Sequence, residues 1–518
     1  MRKLLIGAAA LCVVLGVTAC ATPGSGPASA PDTNLTVALK QDPGSIDPLG
    51  AALAGADIVF LYGETLTKQY VGEGLEPGLA TEWHGSEDLT EWTFTLRDDV
   101  VFSDGSPMTS TDVVATFERI MDPDIQSPYK ADLAFITGVK ATGEHEVVFS
   151  LDRPLVYFPA SVSEFLTVIM KASSFEENGN TYERIVAPVT TGPYALTSYQ
   201  ADAKAVLARN DNYWNGEPGF EQVEFRFIPE ATAREAMIRS GEIDITMTPP
   251  TTSLEALRND PRVTVETAPG LTGVYLGINL VNEPKLQDIR VREAMNLAID
   301  RESIIDNVLL GLGDALTSPI SSVTPGACAV GESTYDPERA KQLLAEAGAE
   351  GTAIDFLAPN GRYLQDAQAS AAIASQLQEV GFTVKSFTRD ATAYLDEIRK
   401  APEDASFDIG MFVNTPSLPD TGLALNHWFG ERITPNGFNF AGYQSDVMDD
   451  LKRKSGEIAD PEARAEVLCE ALKVTWEDYP AIWLWAEQTV TLTNGTVDGV
   501  DVSPRGILRL AEATPASN

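Results

Sequence analysis

The stretch Tyr275–Asp300, YLGINLVNEPKLQDIRVREAMNLAID, changes its hydrophobic period part-way along. Val274, Leu276, Ile278 and Leu280 alternate with Tyr275, Gly277 and Asn279, the period of two that a half-buried strand requires. Beyond a polar loop through Pro284, Ile289, Val291, Met295, Ala298 and Ile299 recur at helical spacing. A strand feeding an amphipathic helix in mid-chain is a joint at which one α/β unit can hand over to another. The helix-to-strand step recurs downstream. One helix buries Ala340, Leu343, Leu344 and Ala347 and stops at Gly348. Another buries Leu364, Ala367, Ala371, Ala374, Leu377 and Val380, and ends at Gly381 before the strand Phe382–Phe387. This alternation predicts α/β lobes, and 518 residues are too many for one ordinary core.

The formal charge of −38 argues against nucleic acid, whose phosphates demand a basic surface. It reads as a solvated acidic exterior. The N-terminus reads as a processing segment. Arg2 and Lys3 precede the apolar run Leu4–Leu15, which is too short to span a bilayer, and small residues follow. Residues 1–19 are therefore read as a secretory signal. Val17-Thr18-Ala19-Cys20 resembles a bacterial lipoprotein cleavage box, which implies lipid on Cys20. Residues 20–34, rich in Pro, Gly, Ser and Ala, read as a flexible tether. The expected location is the outer face of the cytoplasmic membrane or the periplasm.

Cys12 leaves with the signal, so Cys328 and Cys469 remain as a possible disulfide, which an oxidising compartment permits. There is no CxxC, and His84, His145 and His427 lie far apart, so no metal site and no cofactor are expected. No GxSxG, Walker or HExxH motif is present, and scattered carboxylates give no specific hydrolase signature. The chain is read as a binding protein and not an enzyme, with an extracellular hydrolase as a remote alternative.

From Ala80 the pattern is a strand (Trp92, Phe94, Leu96), a short strand Val100–Phe102, a turn at Asp104-Gly105-Ser106-Pro107, and a helix opened by a Thr109/Asp112 capping box. This run, with Trp83, Leu96-Arg97, Asp104-Gly105 and Asp112-Val113-Val114, resembles the signature of family 5 bacterial extracellular solute-binding proteins, the peptide/nickel/opine class serving ABC importers. Further blocks match in order: Thr191-Gly192-Pro193-Tyr194, Asn210-Asp211-Asn212-Tyr213-Trp214, Ser240–Asp244, the 275–301 crossover, Tyr335-Asp336-Pro337-Glu338 and Pro480–Ala486.

The resemblance implies an α/β, two-lobed, periplasmic-binding-protein-like (type II) fold with a subdomain inserted in the first lobe and a hinged ligand cleft. Residues 35–55, 188–279 and 488–510 would form lobe I, residues 56–187 the insert, and residues 280–487 lobe II. It further implies a monomeric receptor for an oligopeptide or similar solute, delivering it to the membrane permease subunits of an ABC importer.

Peptide-binding members place an aspartate after the strand corresponding to Phe407–Val413. Here Asn414 and Thr415 stand there, with Asp420 as a displaced substitute. Trp428, and Trp483 with Trp485 on one strand face, are read as cleft platforms or core packing, and Tyr62 and Asn279 as cleft candidates by position. An oligosaccharide or other uncharged solute is the second reading. The expected hinge is Leu276–Leu280, where Gly277→Val should impair closure more than folding.

Overall fold

The computed structural model describes residues 33–517 except 52–54, 71–73, 126, 128–132, 179–187, 417 and 419. The signal, Cys20 and the tether as far as residue 32 lie outside the described residues. One eleven-stranded sheet runs through the molecule. From edge to edge its strands are Thr383–Thr388, Ala353–Ala358, Ile409–Asn414, Thr264–Ile278, Ala481–Thr493, Ile245–Met247, Asn34–Leu39, Gln222–Phe227, Lys204–Arg209 and Tyr194–Gln200. The short strand Gly313–Ala315 adds to Ala481–Thr493.

Thr264–Ile278 and Ala481–Thr493 pair antiparallel, and each serves both ends of the sheet. Near one end Ile245–Met247 pairs with Thr491–Thr493; near the other Ile409–Asn414 pairs with Gly273–Ile278. The two lobes therefore share this strand pair. Its ladder is interrupted between Pro269 and Gly273, which face Gln488 and Ala486. Inside that interruption a Cβ on Gly270 would lie 2.3 Å from the Glu487 carbonyl oxygen, so only glycine fits.

Leu276 and Gly277, by contrast, sit in ladder on both sides. The expected hinge at Leu276–Leu280 thus begins inside the paired ladder, whereas the interruption lies at residues 270–272. A Cβ on Gly277 would meet Phe412 Cδ2 at 2.6 Å, inside the packed core. Gly277→Val is accordingly expected to cost stability, about 1–3 kcal/mol by denaturant titration. An unchanged unfolding midpoint with weakened solute binding would restore the earlier hinge reading.

Core residues clothe both faces of the second lobe's end. Val291, Met295, Ala340, Leu344, Ile373 and Leu377 cover one face, and Leu468, Leu472 and Trp476 cover the other. The helix Pro337–Glu346 begins as its sequence requires, with Asp336 Oδ1 accepting from the Arg339 N–H at 2.9 Å and proline in the first turn. Buried Arg301 donates Nε to the Trp483 carbonyl at 2.5 Å and Nη1 to the Asn296 and Ile299 carbonyls. It ties the end of the helix Ile289–Ala298 to a shared strand.

A separate four-stranded antiparallel sheet runs Ala80–Gly85, Glu91–Leu96, Glu146–Leu151, Ile136–Gly143. The helix Ser110–Met121 begins with the expected capping box. Val100–Phe102 is not a strand; only Val101 bridges, to Pro107, because the turn leaves too little chain for a ladder.

Cys328 and Cys469 are bonded, with Cα atoms 5.8 Å apart, closing a loop across a sequence separation of 141. The bond fastens the segment around Cys328 to the helix Pro461–Asp478. Replacing both cysteines by serine should lower unfolding free energy by about 2–5 kcal/mol, read by thermal or urea denaturation under non-reducing conditions. A difference below ~1 kcal/mol would show that the cross-link constrains little.

Candidate ligand-binding cleft

In an open α/β sheet the loops at the carboxyl ends of parallel strands form the natural ligand crevice. Asn34–Leu39 runs parallel to Ile245–Met247 and Gln222–Phe227, and Ala353–Ala358 parallel to Ile409–Asn414 and Thr383–Thr388. The loops after Asn34–Leu39, Ile245–Met247 and Ala353–Ala358 line a cavity of about 590 Å³. Its lining includes Lys40, Gln41 and Met247–Pro249, Arg362–Leu364, and Gly270, Thr272 and Glu487–Val490 of the shared strands.

The walls are held by buried polar groups. Arg234, nearly buried, donates to the Ile228, Pro229 and Thr248 carbonyls at 2.7–3.0 Å and fixes the Thr248 loop. The Asp366 carboxylate accepts the main-chain N–H groups of Gly361, Arg362 and Tyr363 at 2.9, 2.7 and 3.0 Å. Gln365 Nε2 reaches Thr251 Oγ1 at 2.7 Å and links the two sides.

Charge in the cavity is uneven. Arg505 is neutralised by Glu164 at 2.7 Å. Arg362 packs its guanidinium over Tyr363 and Tyr394 at 5.5 and 5.7 Å, and donates Nε to the Tyr363 hydroxyl at 3.0 Å. Among the described residues no carboxylate is ion-paired with Arg362 or Lys40. Burial lifts the Glu487 carboxyl above the usual range, and the nearby Asp366 charge pushes the same way. Burial pushes the Asp57 carboxyl up to about 7, although the Leu508 N–H it accepts favours the charged form.

None of the eight binding residues expected from sequence lines this cavity. Tyr62 is buried, its hydroxyl donating to the Ile46 carbonyl. Asn279 is also buried; its amide donates to Pro402 and Phe407, and its oxygen accepts from Val281 and Asn282, which leaves nothing for a solute. Asn414 donates to the Ala424 carbonyl at 3.0 Å inside the core. Thr415 is exposed and bonds Thr272 of the cavity lining at 2.9 Å, the nearest approach of the set. Asp420 caps Leu423 and is paired with Arg464 at 2.7 and 3.0 Å, so it is no substitute ammonium site.

Trp428 and Trp483 pack edge-to-face at 5.1 Å in a core cluster with Tyr275 and Trp476. Trp485 belongs to the cluster on the other face. The shared-face expectation fails because Tyr275 pairs with Trp483 and Val274 with Trp485, so Leu484 is an extra, bulged residue that resets the alternation.

A sheet whose two ends share a long strand pair, with a cavity lined by the loops of both, defines a two-lobed solute-binding fold. The chain belongs to the bacterial extracellular solute-binding proteins, family 5, whose model matches residues 74–436. Members of that family are binding receptors, so the chain is not an enzyme. It is 26% identical to the probable D,D-dipeptide-binding periplasmic protein DdpA of Escherichia coli, over 92% of this chain and 93% of the relative. To the dipeptide-binding protein of the same organism it is 28% identical, over 83% and 84%. Among solved structures, the unliganded open form of the murein tripeptide-binding protein MppA matches with a TM-score of 0.82 at 24% identity, covering 94% of this chain and 98% of that one. The Helicobacter pylori protein DppA in complex with the peptide STSA matches at 0.71 and 24%, covering 93% and 98%.

Proposed function

We propose that the chain is a lipid-anchored, extracytoplasmic receptor that captures a peptide or peptide-like solute in the interlobe cleft and presents it to the permease of an ABC importer. The observation that carries this reading is the cavity itself. Its size falls in the range that buries a small ligand, and both lobes contribute walls. The relatives named for dipeptides favour a peptide-like occupant. The better match to an open, unliganded relative than to a peptide-bound one supports reading this conformation as open.

In this reading residues 35–55, 188–279 and 488–510 make lobe I, residues 56–187 its insert and residues 280–487 lobe II, and solute closes the lobes about residues 270–272. Closure shifts a population toward the form the permease recognises, and no bond is made or broken. The anchor is Cys20, and the receptor acts as a monomer. No helix of the described residues is long and apolar enough to cross a membrane. The oligosaccharide alternative loses its physical support, since the tryptophans that would serve as sugar platforms are buried in the two core clusters.

Thermal-shift titration of the purified chain against di- to pentapeptides and against oligosaccharides tests the proposal. Stabilisation should grow with free peptide over its dissociation constant. A melt moved by a sugar and by no peptide would overturn it.

A further inference from the structure

We propose that Ser321 restrains the open form: from lobe II its hydroxyl holds the Gly270 carbonyl across the hinge, and the strap that carries it is fastened by the Cys328–Cys469 bond. The inference rests on the reading of residues 270–272 as the place where the lobes turn.

The break in the ladder leaves main-chain groups to be satisfied elsewhere. Between Pro269, opposite Gln488, and Gly273, opposite Ala486, three residues face the single residue Glu487. A buried carbonyl or N–H without a partner costs about as much as a lost hydrogen bond, so each needs one. The Gly270 carbonyl accepts from Ser321 Oγ at 2.7 Å. The Leu271 N–H donates to the Pro504 carbonyl at 2.8 Å. The Thr272 and Thr415 hydroxyls meet at 2.9 Å. In the lobe division above, Pro504 belongs to lobe I, and Ser321 and Thr415 belong to lobe II.

Of the three ties, only the Ser321 bond spans the turn. Gly270 lies on the lobe I side of Leu271, yet its carbonyl is held from lobe II. Rotation about Leu271 carries that carbonyl away from a fixed hydroxyl, whereas Thr272 moves with lobe II. Ser321 is 2% exposed, so the bond is made away from bulk water, where its geometry counts most.

The restraint works only if Ser321 cannot follow Gly270, and the strap supplies that rigidity. The Pro325 carbonyl accepts from the Thr421 hydroxyl and N–H at 2.9 and 3.2 Å. Cys328 is bonded to Cys469 of the helix Pro461–Asp478. The Thr317 carbonyl accepts the Val330 and Gly331 N–H groups at 2.9 and 3.1 Å, which closes the strap on itself. A Cβ on Gly331 would lie 2.2 Å from the Trp476 ring, so the strap lies tight against that helix. Ser321 does not line the 590 Å³ cavity. It is a positioning residue that acts through the hinge carbonyl. A bond made in the open form and lost on closing lowers apparent affinity by its own weight while the open form predominates.

The test compares the parent chain with Ser321→Ala, with Ser321→Thr, which keeps a hydroxyl, and with the double variant Cys328→Ser, Cys469→Ser. A fifth protein combines Ser321→Ala with the cysteine replacements. Small-angle X-ray scattering gives the radius of gyration with and without a randomised free tetrapeptide pool. Retention of that pool through gel filtration, read by mass spectrometry, gives relative affinity. Thermal melts set a temperature at which every protein is folded. Ser321→Ala should shrink the unliganded chain toward the peptide-bound parent and raise retention about two- to tenfold, the weight of one neutral hydrogen bond. The double-cysteine variant should move both readouts the same way, the combined variant no further than Ser321→Ala, and Ser321→Thr should match the parent.

A lower melt for Ser321→Ala with scattering and retention unchanged would overturn the restraint, because the hydroxyl would then only satisfy a carbonyl. The closure reading would still stand on the parent's compaction with peptide. Weaker retention by Ser321→Ala would also overturn the restraint, since the bond would then belong to the closed form. Additive shifts from the serine and cysteine replacements would overturn the role given to the disulfide. Compaction of unliganded Ser321→Ala with no peptide retained by any protein would uphold the restraint and overturn the peptide reading. If peptide compacts no protein and the unliganded variants match the parent, the closure reading falls and the restraint with it.

Discussion

Arg119→Ala should lower the unfolding free energy by about 3–5 kcal/mol, the largest single loss expected in the chain. Asp47 is fully buried and Arg119 is 4% exposed, and the two form a bidentate pair. Asp47 also accepts the Leu49 N–H at 3.0 Å, so its carboxylate organises the bend that follows the first strand. Arg119 belongs to the helix Ser110–Met121, more than seventy residues away in sequence. Removing the arginine strands a charge in the core, since Arg119 is the only ion-pair partner of Asp47 among the described residues. The double variant Asp47→Asn with Arg119→Met should recover most of the loss, because neither buried charge remains. Chemical denaturation of the three proteins measures both quantities. A single-variant loss below ~1 kcal/mol would show that water reaches Asp47.

Asp57→Asn should act in the opposite direction, and only at neutral and higher pH. An unfolded aspartate ionises near 3.8, whereas burial holds Asp57 protonated in the folded chain up to about 7. Below pH 4 both states carry the proton and the group costs nothing. Between pH 4 and 7 the unfolded state loses its proton first, so stability falls as pH rises, by roughly 4 kcal/mol in all. Above pH 7 the penalty is constant. Asparagine keeps an oxygen to accept the Leu508 N–H, which lies 2.6 Å from Asp57 Oδ1, and removes the charge. The variant should therefore melt higher than the parent at pH 8 and match it at pH 4. Equal melts at both values would mean that the folded carboxyl ionises normally.

Much of the architecture could be read from residue order because it rests on local physics. The period change within Tyr275–Asp300, the Thr109/Asp112 capping box, Asp336-Pro337 ahead of a helix and Gly241 in left-handed conformation after one are all decided within a few residues. The candidate site was not legible, because it depends on which loops the sheet gathers. Arg362 and Tyr363 follow a strand without motif, and Lys40 follows another more than three hundred residues earlier. The usable signal was topological: each lies just past the carboxyl end of a strand in a parallel pair. The tryptophans misled for a different reason. A single bulged residue, Leu484, reverses the face of Trp485, and nothing in the alternation of Ala481–Ala486 announces it.

The shared strand Ala481–Thr493 has a consequence for biogenesis. It is central to the sheet yet follows in the chain all the strands it pairs with, and both lobes need it to complete their hydrogen bonding. Pairings as distant as Ile245 with Thr493 must wait until the later strand has been made, and such contacts close slowly. The strand pair that unites the lobes also sets the moment at which the protein can fold.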